Sequence, residues 1–192
     1  MERYQRGEAR AFEILVTRHQ GPVYNFVLRI VGHREAAEDV LQEVFMRVVK
    51  GAAQFERRAK FTTWVYTIAR NLCIDAQRKA RYRRTDSLDQ SIDGDDSDGP
   101  TLGASIGDGA RSIDDRAFDV QTRAVMVEAI AALSEEQREV FTLREYAGLP
   151  FQEIASIVGC PENTVKSRMR YALENLRKRL EAAGIGNPVV DQ

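Results

Sequence analysis

Residues 86–119, DSLDQSIDGDDSDGPTLGASIGDGARSIDDRAFD, hold ten Asp, no Glu and two Arg, a net of −8. Large apolar side chains are nearly absent from this stretch. Burial cannot offset the entropy of ordering such a segment, so it reads as a flexible acidic linker. It divides the 192-residue chain into two small units. The expected limits are an N-terminal domain over 1–84, the linker over 85–120, a C-terminal domain over 121–182 and a tail over 183–192. The whole chain carries a formal −1, so the residues outside 86–119 carry +7. Blocks matter more than that sum, because charges farther apart than about 8 Å are screened at physiological salt.

Both units read as helical, and the predicted fold class is all-α, with no β alternation of useful length and no fixed-period repeat. In FQEIASIVGCPENTVKSRMRYALENLRKRL (151–180), Phe151, Ile154, Ala155 and Val158 are spaced for one buried helical face. Gly159 can take the left-handed conformation that ends that helix, and Pro161 suits the start of the next. There Val165, Met169, Leu173, Leu176 and Leu180 recur every three or four residues, so they are expected to point inward. The opposite face carries Asn163, Ser167, Arg170 and Tyr171, flanked by Lys166 and Arg168, with Thr164 in the first turn. Such a helix-turn-helix suits a DNA major groove, although a charged face of this kind also suits water alone. Upstream, Val125, Ile130 and Leu133 mark one helix. Ser134-Glu135-Glu136-Gln137 is a capping box, in which Gln137 would also reach back, before a helix bearing Val140, Phe141, Leu143 and Tyr146.

In the N-terminal unit, Ala9–Gln20 reads as a short helix and Pro22 as the start of a second, ending near Gly32. Ala36, Ala37, Val40, Leu41, Val44, Phe45, Val48 and Val49 form an apolar stripe on a third. Glu38, Asp39, Gln42 and Glu43 face away from it. After a break at Gly51–Lys60, Thr62 or Thr63 can cap a fourth helix running to about Arg84. Its expected buried stripe is Val65, Ile68, Ala69, Leu72 and Ala76. Between Arg57 and Arg84 there are nine basic residues and one acid, Asp75. Phe61, Trp64 and Tyr66 lie in the same block. Cations beside aromatic rings suit a single nucleic-acid strand, since rings stack on unpaired bases. Trp64 and Phe61 would serve a core equally well.

Several function classes are disfavoured. No apolar run approaches the roughly 18 residues of a membrane span. The start, MERYQRGEAR, lacks the apolar core of a secretory signal, so no membrane insertion and a cytoplasmic location are expected. Cys73 and Cys160 are isolated, as are His19 and His33, so neither a disulfide nor a metal site is expected. There is no nucleophile motif and no phosphate-binding glycine loop, so no catalytic residue, cofactor or enzymatic activity is expected.

Four stretches, EAAEDVLQEVFMRVV (35–49), FTTWVYTIARNLCIDAQRK (61–79), LSEEQREVFTLREYAGLPFQEIA (133–155) and GCPENTVKSRMRYALENLRKRL (159–180), occur in one order. In that order and spacing the chain resembles the extracytoplasmic-function (ECF) group of bacterial sigma factors over about residues 3–84 and 122–180. The resemblance implies a non-enzymatic subunit that binds core RNA polymerase and directs promoter-specific initiation. Glu38, Asp39, Gln42 and Glu43 would then dock on the β′ clamp. The segment from Ala52 to Arg78 would melt and read the −10 element, with Arg57, Lys60, Phe61, Trp64, Tyr66, Arg70, Asn71, Asp75 and Arg78 as its contacts. Its loop at Ala52–Lys60 would hold a flipped base. Asn163, Thr164, Lys166, Ser167, Arg168, Arg170 and Tyr171 would read the −35 element. Implied partners are core polymerase, through the β′ clamp and the β flap, promoter DNA and an anti-sigma factor. The linker would thread toward the polymerase active centre. One departure is Pro150, which stands where the family commonly has a Ser or Thr cap. The competing reading is a stand-alone helix-turn-helix regulator that never joins polymerase. An acidic docking helix followed by a basic aromatic block argues against it, because such a regulator needs a ligand or receiver module there.

Overall fold

A computed structural model of the chain describes residues 1–56, 60–88 and 113–185, with side chains for 1–56, 60–83 and 122–185. Among the described residues all regular structure is helical. The N-terminal unit holds α1 (Glu2–Gln5), α2 (Ala9–Val31), α3 (Arg34–Lys50), a 3-10 turn at Ala52–Gln54 and α4 (Phe61–Leu88). The C-terminal unit holds α5 (Ile113–Ala131), α6 (Glu135–Glu145), α7 (Phe151–Val158) and α8 (Glu162–Ala182). The expected linker falls outside the described residues over 89–112. Its two edges are helical: α4 runs past Arg84 to Leu88, and α5 starts at Ile113. Average composition misreads those edges, which continue the flanking helices.

The first core is where α2, α3 and α4 pack together. Val23, Phe26 and Val27 of α2 meet Ala37, Val40, Val44 and Val48 of α3, and Val65, Ala69 and Leu72 of α4. These recur every three or four residues, as a single buried face requires. Val49 lies at the rim of the α3 stripe and is exposed, as is Met46. Ala9–Val31 is one helix, not the expected two, with Pro22 inside it. Proline removes one N–H and crowds the preceding turn. Gly21 and Pro22 are exposed, so water can satisfy the carbonyl left without its donor, while Val23, Phe26 and Val27 hold the helix to the core.

In the second core, α8 packs on α5, α6 and α7 through Val165, Met169, Ala172 and Leu176. Leu173, expected inside, is exposed. At about 100° per residue it lies well off the line through Val165, Met169 and Leu176, and Ala172 takes the inner place. Ser134 caps α6 as expected, accepting from the Gln137 N–H at 3.3 Å. The reach-back half of the capping box is missing, because Gln137 Oε1 accepts from Asn175 Nδ2 of α8 at 3.0 Å.

The two units touch, α2 against α6 and α4 against α7. A cavity of about 150 Å³ between them is lined in part by Phe26, Cys73, Arg138 and Glu139. Cys73 is fully buried, and burial, with Glu139 nearby, pushes its thiol up to about 12. Cys160 is only half-buried. A disulfide reagent at pH 8 should therefore titrate one thiol in the native protein and both after denaturation. Rapid native reaction at both would contradict the burial of Cys73.

Candidate nucleic-acid interface

The recognition-type helix α8 is set by its turn. Gly159 adopts φ 76°, ψ 35°, and its N–H and that of Cys160 both donate to Ala155 O, at 2.9 and 3.2 Å. Pro150 precedes α7 in an extended conformation with no side-chain cap. Arg144 holds the approach to α7 in another way: Nη1 donates to Leu149 O at 3.0 Å, and its guanidinium lies 4.8 Å from the Phe151 ring centroid. With that turn held, Asn163, Ser167, Arg170 and Tyr171 are all exposed, opposite the buried stripe. The Arg170 guanidinium lies 4.7 Å from the Tyr171 ring centroid, which leaves both side by side on the solvent face. Thr164 is half-buried. Lys166 flanks the face, its Nζ 2.7 Å from Glu162 Oε1. Arg168 is half-buried, and its Nη1 is 3.8 Å from Cys160 Sγ, so it is the least available of the expected contacts.

On α3, Glu38, Asp39 and Gln42 are exposed and Glu43 is partly so, all off the buried stripe. Arg34 Nε donates to Glu38 at 3.1 Å and Arg47 Nε to Glu43 at 2.9 Å. Exposed pairs at this spacing contribute roughly 0.3–0.5 kcal/mol each, so they leave the face free to exchange partners.

The basic aromatic block divides into a wall, a face and a buried ring. Phe55, Phe61 and Trp64 pack together, with centroids 5.0 Å apart for Phe55 and Trp64 and 6.2 Å for Phe61 and Trp64. Gly51 admits the indole: a Cβ there would stand 3.0 Å from Trp64 Cζ2. Gln5 Nε2 donates to Ala52 O at 2.8 Å and Phe55 O at 3.0 Å, so α1 braces this loop. Periodicity could not have found that brace, because it joins residues about fifty apart. A groove of about 390 Å³ beside the wall is lined by Met1, Ile14, Leu15, Phe55 and Phe61 among others. Tyr66 is a correction. It is 2% exposed and meets Phe26 edge-on at 5.5 Å, so its ring belongs to the core and offers no face to a base. Burial also raises its phenol well above the ordinary range. Asn71, Asp75 and Arg78 are exposed along α4, while Arg57 lies outside the described residues.

Three further cations of the block point at the other unit. Arg70 pairs with Glu139, with Nη2 to Oε2 at 3.5 Å as the longer of two bonds. Lys60 Nζ stands 2.5 Å from Glu153 Oε1, and Thr62 and Thr63 each donate to Glu153 Oε2 at 3.2 Å. Because α4 begins at Phe61, both threonines lie inside its first turn and neither stands at the expected cap position. Arg81 also pairs with Glu135. Burial holds the Glu139 carboxyl above its usual range, and Arg70 offsets this only in part. At Glu153 burial again pushes upward, but the Lys60 and threonine donors outweigh it and the carboxyl sits below its usual range. No group of His, Cys, Asp and Glu among the described residues is arranged to hold a metal ion.

Comparisons with known proteins agree with this layout. Residues 15–83 match the family Sigma-70 region 2, and residues 123–176 match Sigma-70, region 4. The RNA polymerase sigma-H factor of Pseudomonas aeruginosa is 33% identical over 189 residues, covering 94% of this chain and 92% of that protein. The ECF RNA polymerase sigma factor SigL of Mycobacterium tuberculosis is 32% identical over 180 residues, 93% of each chain. The ECF RNA polymerase sigma-E factor of Escherichia coli K12 is 32% identical over 181 residues, 94% of this chain and 92% of that protein. Among solved structures, the fold is similar to the sigma factor RpoE in complex with the anti-sigma factor NepR from Bartonella quintana. That match has a TM-score of 0.67 at 24% identity, over 90% of this chain and 98% of that one. CnrH in complex with the cytosolic domain of CnrY gives a TM-score of 0.66 at 21% identity, over 94% of each chain.

Proposed function

The chain belongs to the sigma-70 family, in the ECF group of RNA polymerase sigma factors, and on that premise we propose a division of labour among its exposed faces. The protein binds core RNA polymerase and directs promoter-specific transcription initiation through −10 and −35 recognition. Residues 1–84 form the unit for core docking and −10 melting, 121–182 the −35 unit, and 85–120 the connection. The carrying observation is the α8 face, where Asn163, Ser167, Arg170 and Tyr171 are exposed opposite a buried stripe on a helix set by a Gly159 turn. Glu38, Asp39, Gln42 and Glu43 dock on the polymerase β′ clamp, and the C-terminal unit meets the β flap. Asn71, Asp75 and Arg78 line the −10 strand, with the Phe61–Trp64 wall at its edge. Lys60 and Arg70 join them once freed from Glu153 and Glu139. An anti-sigma factor covers these surfaces, and the site of action is the cytoplasm. No described helix is long and apolar enough to cross a membrane. A stand-alone regulator is not favoured, since it has no use for a region 2 unit. The relatives are sigma factors rather than enzymes, and the proposed roles involve no chemistry beyond binding.

The test is a −35 selection with holoenzyme variants. Arg170→Ala and Ser167→Ala should relax base preference at one or two −35 positions, with about 1–3 kcal/mol of discrimination lost per contact. Both should still open a template with a pre-melted −10 bubble. Lys166→Ala should lower affinity for all sequences alike and flatten the salt dependence by roughly one unit. A changed preferred base with Lys166→Ala, together with a merely uniform loss with Arg170→Ala, would overturn these assignments.

A further inference from the structure

The match to Sigma-70 region 2 begins at residue 15, so α1 and the first turns of α2 lie ahead of it. A helix of four residues cannot stabilise itself, because nucleation costs more than so few hydrogen bonds return. α1 is held from outside. Gly7 turns the chain at φ 96°, and the Glu8 N–H donates to Arg3 O at 3.0 Å. Glu8 Oε2 accepts from Arg3 Nε and Nη2 at 2.9 and 2.6 Å. The Tyr4 ring lies 5.0 Å from that of Phe12 on α2. These contacts set α1 beside the turn that follows α3, where one amide grips both ends of that turn. Gln5 Nε2 donates to Ala52 O, in its first residue, and to Phe55 O, just past its last. Both partners are carbonyl oxygens, so only the amide nitrogen can face them. Phe55 in turn backs Trp64, and its ring lies 6.4 Å from that of Phe61. Its carbonyl cannot rotate without breaking the Gln5 bond. Glu2 and Arg3 of α1 also line the groove beside these rings.

We infer that α1 is the positioning element of the aromatic wall: Gln5 fixes Phe55, and Phe55 sets the Trp64 indole that meets the melted strand. The inference rests on the reading of this wall as the edge of the −10 site. Gln5 is a positioning residue that acts through Phe55 and Trp64, so its effect is present before any DNA is bound. The bonds run to backbone oxygens, so what position 5 must supply is a donor.

Trp64 is the only tryptophan of the chain, so its fluorescence reports on the wall alone. The experiment uses the full chain, first by itself and then with core polymerase. Gln5→Met keeps the length of the side chain and loses its donors. Acrylamide quenching of the half-buried indole should rise, and its emission should move to longer wavelength. The thermal melt should move little, since Gln5 is exposed and belongs to neither core. With core polymerase, release from a pre-melted −10 bubble should quicken about fivefold, the effect of about one hydrogen bond. Gln5→Glu offers only acceptors and should behave like Gln5→Met. Gln5→Lys again offers donors and should return both quenching and release toward the parent. Unchanged quenching in Gln5→Met overturns the proposal, since Phe55 would then hold its place unaided. So does a lysine that restores release but not quenching, because that marks a direct cation contact with DNA. A separate arm tests the premise: Trp64→Leu, which keeps an apolar side chain and loses the ring, should also quicken release from the bubble. If it does while the Gln5 series is flat, the wall stands and the brace falls. If it does not while Gln5→Met exposes the indole as expected, the brace stands and the −10 reading of the wall falls.

Discussion

The double variant Asp39→Lys, Glu43→Lys is expected to lose at least tenfold in affinity for core polymerase while keeping its fold. Both residues stand off the buried α3 stripe of Ala37, Val40, Val44 and Val48, so the substitution removes no core contact. The local cost is the exposed Glu43–Arg47 pair at 2.9 Å, roughly 0.3–0.5 kcal/mol. Charge pairs across an interface couple by about 1.5–7 kcal/mol, so reversing two of them outweighs that cost by a wide margin. Binding titrations against labelled core polymerase would measure the loss, and a thermal melt of the free variant would check the fold. Unchanged affinity would mean that this face meets only water.

Tyr66→Ala should cost about 3–5 kcal/mol of stability, the usual range for emptying a buried aromatic site. The ring fills the space between α2 and α4 edge-on to Phe26, and nothing smaller restores that contact. Tyr66→Phe should cost much less, because it keeps the ring and its contact with Phe26 and loses only the hydroxyl. Urea unfolding would separate the two. If Tyr66→Ala unfolded like the parent yet bound single-stranded DNA less well, the ring would be a stacking platform after all.

The helices and their inner faces were legible in the sequence because each depends on neighbours three or four residues away. The α3 stripe, the left-handed Gly159 and the Ser134 cap are local decisions of this kind. The errors arose where local pattern had to be weighed against packing. Pro22 reads as a helix start, yet Val23, Phe26 and Val27 just after it hold one continuous helix to the core. Leu173 is apolar and near the stripe, but the packing of α8 takes the smaller Ala172 inside. Tyr66 reads as part of an aromatic binding block when it is grouped by composition, although at about 100° per residue it falls on the side of buried Cys73 and away from exposed Asn71.

The candidate site was legible to a similar depth. The exposed quartet on α8 and the acidic face of α3 follow from periodicity alone. The Glu153 contact with Lys60, Thr62 and Thr63 does not, because it joins two units far apart in the chain. Glu153 shows in sequence only as a polar position on a short amphipathic helix. Which cation it meets depends on how α7 settles against α4, and no helical period encodes that.

The most direct measurement is run-off transcription. Purified protein and core polymerase would be combined on linear templates carrying upstream genomic regions, including that of its own operon, with start sites mapped. The expected result is a discrete start that requires both components and is lost when either the −10 or the −35 sequence is scrambled. A chain that binds duplex DNA tightly and specifically by itself, and yields no discrete transcript with core polymerase, would contradict it.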